Sequence, residues 1–225
     1  MISAEISTVI SNKTFEKPLN PILGETYQAR GQDGSHIYLE QISHHPPISY
    51  MSVEHEDYKV TGSMEWVIRA GLQSAEVEYI GTRTITFKDG GCIEMNFPKD
   101  KIYGLFIGTF GHQMVGKQAF RDVENDLSAE VQFGAYMFKK QDYVWGEIKQ
   151  ADKKVCEITG NYVGHLDFDE VRYWDYREIE SVHYPICSLA EPYLPSDSRN
   201  RTDAQYLISR PVEEAQAEKE RLEDI

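Results

Sequence analysis

Thr82-Arg83-Thr84-Ile85-Thr86-Phe87, then Lys88 and Asp89-Gly90-Gly91, then Cys92 to Phe97, is the stretch on which the fold class turns. The first six residues are rich in β-branched side chains, which suit a pleated, half-buried surface. Asp-Gly-Gly between two such runs is a tight-turn signal, so the stretch reads as an antiparallel hairpin.

The same grammar extends outward on both sides. Upstream, strands are expected at 36–42, 48–53, 60–68 and 75–80; downstream, at 128–133, 144–149, 154–158 and 162–168. Short strands with turn signals between them indicate an antiparallel sheet, sandwich or barrel. No solenoid or propeller repeat is visible. The ends read differently. Residues 1–35 hold a loop punctuated by Pro18, Pro21 and Gly24, and after about residue 190 the strand signal stops. Residues 202–209 read as a short helix and 211–225 as a second, with Pro211 at its first helical position and Glu213 and Glu214 at its positive end. The expected class is therefore mainly β with a C-terminal helix, and the 225 residues are expected to form a single domain.

Composition narrows the function. With 40% hydrophobic and 27% charged residues the chain can bury a core, and a net charge of −14 repels nucleic acid and anionic surfaces over most of its area. Any bound anion must sit in a local basic pocket. No run reaches the ~18–20 apolar residues of a spanning helix. Three scattered cysteines, without CxxC or zinc spacing, and no visible signal peptide give a reduced, cytoplasmic protein as the expectation.

Three weak chemical signals stand out. In Glu40-Gln41-Ile42-Ser43-His44-His45-Pro46-Pro47 two histidines end a strand, and the prolines after them cannot donate to a ladder. Their ring N–H groups can face a phosphate, or the pair is simply a strand end at the surface. Metal binding is the weaker rival, because strand neighbours point to opposite faces and no further ligands are spaced to help. Lys17 and Asn20 stand on a loop stiffened by Pro18 and Pro21, which suits a phosphate or polyol, or a plain structural turn. Lys219 lies on the apolar stripe of the last helix with Val212, Ala215 and Leu222, and Glu223 is its neighbour four residues on. It either snorkels outward beside Glu223 or points at an anion. No nucleophile elbow, Walker loop or dinucleotide fingerprint is present, so an enzyme is not expected.

Together these segments resemble the lipid-binding domain of the oxysterol-binding protein family. The octapeptide 40–47 is similar to that family's hallmark. Lys17-Pro18-Leu19-Asn20-Pro21-Ile22-Leu23-Gly24-Glu25 resembles its second signature, and 194–199 and 218–223 resemble its C-terminal region. The resemblance implies a large antiparallel β-barrel, here incomplete or open, that carries out non-vesicular lipid transfer without any cofactor. It implies phosphatidylinositol 4-phosphate as a ligand and a sterol or phosphatidylserine as a second one. Carried over by position, His44 and His45 grip the 4-phosphate, Lys17 and Asn20 hold headgroup phosphates, Lys219 adds charge and Glu223 contacts the inositol ring. Transient, peripheral membrane contact follows. Only a short stretch precedes Lys17, so the resemblance also implies a form lacking the family's lid segment. An unclosed barrel favours self-association, or an adaptor or lipid sensor with a degenerate tunnel.

Overall fold

The computed structural model describes residues 1–3, 5–6, 19–134, 140–178, 187–188 and 193–224. They divide into two compact units. One is built from residues 1–13 and 66–182, the other from 14–65 and 183–225. Every strand pair described within them is antiparallel. The mainly β reading with helices at the C-terminus is therefore correct.

The unit of residues 14–65 and 183–225 begins with β1 (Thr26–Arg30), β2 (His36–Ser43) and β3 (Ile48–Glu54), followed by β4 (Tyr58–Ala70), whose last five residues belong to the other unit. A short β14 (Cys187–Ser188) pairs with the free side of β1. A 3-10 turn, Ser198–Asn200, leads into α1 (Thr202–Ser209) and α2 (Val212–Glu223). The second helix starts one residue later than expected. Pro211 has an extended ψ of 146°, and its carbonyl accepts the first helical bonds from Glu214 (3.1 Å) and Ala215 (3.4 Å), so it caps rather than opens the helix.

The larger unit is a meander of β5 (Ser74–Phe87), β6 (Cys92–Met95), β7 (Lys99–Tyr103), β8 (Gly111–Asp122), β9 (Leu127–Phe133), β10 (Tyr143–Gln150), β11 (Lys153–Asn161), β12 (His165–Phe168) and β13 (Val171–Asp175). The hairpin at 82–97 forms as expected. Phe87 N donates to the Gly91 carbonyl at 2.8 Å, and Gly90 takes the left-handed φ of +96° that the turn requires. Its first strand, however, is one with the run at 75–80. At Gly81, φ +148°, β5 changes partner, from β7 (Ser74–Val77) to β6 (Arg83–Thr86).

The core of this unit follows the two-residue period. Ala129, Val131 and Phe133 of β9 face inward and meet Met95, Phe120, Val144, Ile158 and Leu166. Each large aliphatic here contributes about 1.5–3 kcal/mol by leaving water. Ile6 is fully buried in the same cluster, and Glu5 fixes its segment through a double hydrogen bond from the Arg83 guanidinium, 2.7 and 2.8 Å. Gly146 lets β9 and β10 approach closely, since a Cβ there would lie 2.2 Å from the Glu130 carbonyl oxygen.

A polar staple braces β7 and β8 onto β5. Asp100 accepts from Tyr79 Oη through one oxygen and lies 2.9 Å from His112 Nε2 through the other. The Asp100 hydrogen bond raises the His112 pKa against the opposing effect of burial. A raised histidine stabilises the fold fully below the ordinary imidazole value, and the contribution is lost as pH climbs through the raised one. The melting temperature is therefore expected to fall as the pH rises from the ordinary imidazole range through the raised value. His112→Gln should flatten that slope in a pH series of thermal melts. An equal slope in the variant contradicts the assignment.

Candidate functional site

The histidines owe their position to Gln41. At the end of β2 a bulge leaves Ile42 unpaired between the Gln41–Ser49 and Ser43–Ile48 pairs. The Gln41 side chain, 3% exposed, locks it: Nε2 donates to the Ser43 carbonyl (2.7 Å) and Oε1 accepts from Ser49 Oγ (2.6 Å). The strand therefore ends at Ser43, and the turn that follows presents His44 and His45 with ring centroids 4.4 Å apart. His44 is half-buried and His45 exposed.

The last helix brings the other half of the site. Ala215 is fully buried, and Glu218 accepts from Thr202 Oγ1 at the start of α1 while Arg221 donates to both its oxygens at 2.7 and 2.8 Å. These contacts, Arg221 first, hold the Glu218 carboxyl down to about pKa 2. Lys219 and Glu223 then face the histidine turn. Lys219 Nζ donates to Glu223 Oε1 at 2.5 Å, and His44 Nε2 lies 3.2 Å from the same oxygen. The Lys219 hydrogen bond keeps the Glu223 carboxyl below the usual range, helped by the charges of Lys219, His44 and Arg201 and opposed by burial. At neutral pH Glu223 is thus an ionised, acceptor-only group. Of the two readings of Lys219 the structure shows the pairing with Glu223, and it adds that His44 shares the partner.

Beneath them lies an ion cluster that no sequence pattern announced. Arg201, 8% exposed, donates from Nε and Nη2 to the fully buried Asp203 and from Nη1 to Glu25 Oε2 (2.6 Å) and the Asn20 carbonyl (2.8 Å). Glu25 in turn accepts from Ile22 N at 2.9 Å. The loop at 19–25 is thereby fastened to the first turn of α1, and to β2 through Gly24 N to the Gln41 carbonyl (2.8 Å). A second clamp works alongside. Asp197, 2% exposed, accepts from Nε and Nη2 along one edge of the Arg199 guanidinium, whose carbon lies 4.6 and 3.9 Å from the ring centres of Tyr27 and Tyr193.

Of the six residues singled out from sequence, His44 and Lys219 meet on Glu223, and the His45 ring lies beside that of His44, tilted by 53°. Asn20 is exposed on the loop that Arg201 holds, and Lys17 lies outside the described residues. Among the described residues no group of three or more histidines, cysteines and carboxylates is arranged to hold a metal. No helix among them is long and apolar enough to cross a membrane.

The family model described as oxysterol-binding protein matches residues 1–186. The chain belongs to the oxysterol-binding protein family. That is a family of lipid-binding proteins rather than enzymes. Oxysterol-binding protein 9 of Dictyostelium discoideum is 34% identical over 94% of this chain, and oxysterol-binding protein-related protein 6 of Mus musculus is 26% identical over 93%. The chain spans 55% of the first and 24% of the second. Among solved structures, the Osh1 ORD domain in complex with cholesterol is similar with a TM-score of 0.80 at 21% identity, covering 97% of this chain and 62% of that one. The Osh3 ORD of Saccharomyces cerevisiae in complex with PI(4)P has a TM-score of 0.79 at 20% identity, covering 99% and 67%. These likenesses establish the fold.

Proposed function

We propose that this chain is a lipid-binding and lipid-transfer module that recognises the phosphatidylinositol 4-phosphate headgroup at His44, His45 and Lys219. Glu223 takes the inositol hydroxyls, and Lys17 and Asn20 hold headgroup phosphates. The observation that carries the reading is the convergence of His44 with Lys219 and Glu223, which are about 175 positions apart in the chain, on one carboxylate oxygen. A sterol or phospholipid is the second ligand, in keeping with the cholesterol and PI(4)P complexes of the structural relatives. The module works at membranes peripherally and transiently.

The chemistry is competitive. Without ligand, Glu223 occupies the donors of Lys219 and His44. A phosphomonoester brings ~1.5–2 negative charges and accepts those donors in charge-assisted hydrogen bonds, the strong kind. Glu223 is then left to accept from ring hydroxyls, which inorganic phosphate cannot offer. The arrangement thus favours a phosphorylated polyol over phosphate alone.

The test is co-sedimentation of the chain with phosphatidylcholine vesicles containing phosphatidylinositol 4-phosphate or plain phosphatidylinositol. Binding should be stronger with the 4-phosphate, and the margin should shrink at high salt, because contacts at this half-exposed site are screened. Equal binding to both vesicles would remove the headgroup assignment.

A further inference from the structure

The tip of the β7–β8 hairpin presents large apolar side chains to solvent. Its loop, Gly104-Leu105-Phe106-Ile107-Gly108-Thr109-Phe110, leaves Phe106 and Ile107 each 78% exposed. Beside it stands the β4–β5 turn, Gly71-Leu72-Gln73, whose Leu72 is 92% exposed. The two are one structure. Gly104 N and Leu105 N donate to the Gln73 carbonyl (3.0 and 3.4 Å), and Ile107 N donates to Gln73 Oε1 (3.2 Å).

We infer that this double tip, Leu72 with Phe106 and Ile107, inserts into the interfacial layer of a lipid bilayer. Three observations select lipid over a protein partner. First, the side chains protrude almost free of neighbours. A fluid bilayer closes around such a convex tip, whereas a protein must supply a matching pocket. Second, the backbone donors at 104, 105 and 107 are already satisfied by Gln73, which removes a main cost of leaving water. Third, the charge pattern stops short of the tip. Residues 70–75 and 102–111 contain no charged side chain, in a chain that is 27% charged.

Below that level the strands are balanced. Arg69 and Lys99 pair with Glu78 (3.2 and 2.7 Å), Lys101 lies 3.8 Å from Glu76, and Asp100 is engaged by His112 and Tyr79. Three cations meet three carboxylates, so these groups add nothing to the repulsion that the net charge of −14 exerts on anionic lipid. Insertion is therefore driven by apolar burial and requires no anionic lipid. The inference rests on the lipid-binding reading above and adds the surface by which the chain reaches its membrane.

The experiment measures partition of the full chain onto vesicles of phosphatidylcholine alone. Phe106→Ser with Ile107→Ser should weaken partition about thirtyfold, a loss of about 2 kcal/mol at 1.4 kcal/mol per tenfold. The same variant should retain the wild-type affinity for a water-soluble, short-chain phosphatidylinositol 4-phosphate. In Phe106→Trp, the added emission should be quenched by brominated phosphatidylcholine. Wild-type partition by the double variant, or an indole at 106 that bromolipid fails to quench, overturns the inference and hands the tip to a protein partner or a second copy of the chain. Failure of the short-chain lipid to bind wild-type protein would instead remove the headgroup assignment and leave the tip result standing.

Discussion

Arg201→Ala is expected to destabilise the protein by about 3–5 kcal/mol, as breaking a buried ion pair on one side does, and to lower its melting temperature by about 10 °C. The reason is what the substitution leaves behind. Asp203 is fully buried and Glu25 nearly so, and each depends on the Arg201 guanidinium for neutralisation. The Asn20 carbonyl loses its donor as well. Lys59→Ala offers the contrast. Lys59 and Glu54 form a 2.8 Å pair that is about half exposed on both sides, and such pairs contribute at most ~1 kcal/mol. Chemical denaturation of both variants checks the claim. Replacing Arg201 by methionine, Asp203 by leucine and Glu25 by glutamine together should recover much of the loss, because no charge is then stranded in the cluster. A melt for Arg201→Ala within 2 °C of wild type would show the cluster to be hydrated rather than buried.

The second large effect falls on binding. His44→Ala with His45→Ala should weaken association with a phosphatidylinositol 4-phosphate headgroup by about a thousandfold. Each hydrogen bond to a charged partner contributes about 1.5–3 kcal/mol, and tenfold corresponds to about 1.4 kcal/mol. The fold should not notice. His45 is exposed and His44 half-buried, and the bulge beneath them is held by Gln41 and Ser49 instead. Calorimetric titration with short-chain lipid, paired with thermal melts, separates the two effects. A variant that binds normally, or one that loses binding only because it has melted, would contradict the assignment.

The histidine turn and the Arg201 cluster differ in how far the amino-acid sequence alone reveals them. The histidine pair was legible because adjacent unusual residues before Pro-Pro announce themselves locally. Strands with β-branched alternation were legible for the same reason, and 82–97 forms the hairpin its letters describe. Others were hidden by their composition. β7 spends three of five residues on charge, and β8 opens with Gly111 and carries Gly116, so neither presents a simple apolar alternation. β1 follows a Pro/Gly-marked loop closely enough to be absorbed into it. The clusters that position the site were out of reach for a deeper reason. Arg201 and Glu25 are 176 positions apart and belong to no period, so only the folded chain brings them together. Gln41 sat in plain view within the octapeptide, but its task, locking a bulge, exists only once β2 and β3 pair.

Whether His44, His45 and Lys219 act as one phosphate receptor is read most directly by nitrogen-detected NMR. Short-chain phosphatidylinositol 4-phosphate would be titrated into isotope-labelled chain while the imidazole nitrogens of residues 44 and 45 and the Lys219 ammonium are followed. All three signals should move along one binding curve and stay still when phosphatidylinositol replaces the phosphorylated lipid. Movement of only one of them, or equal responses to both lipids, would mean that the 4-phosphate is not held there.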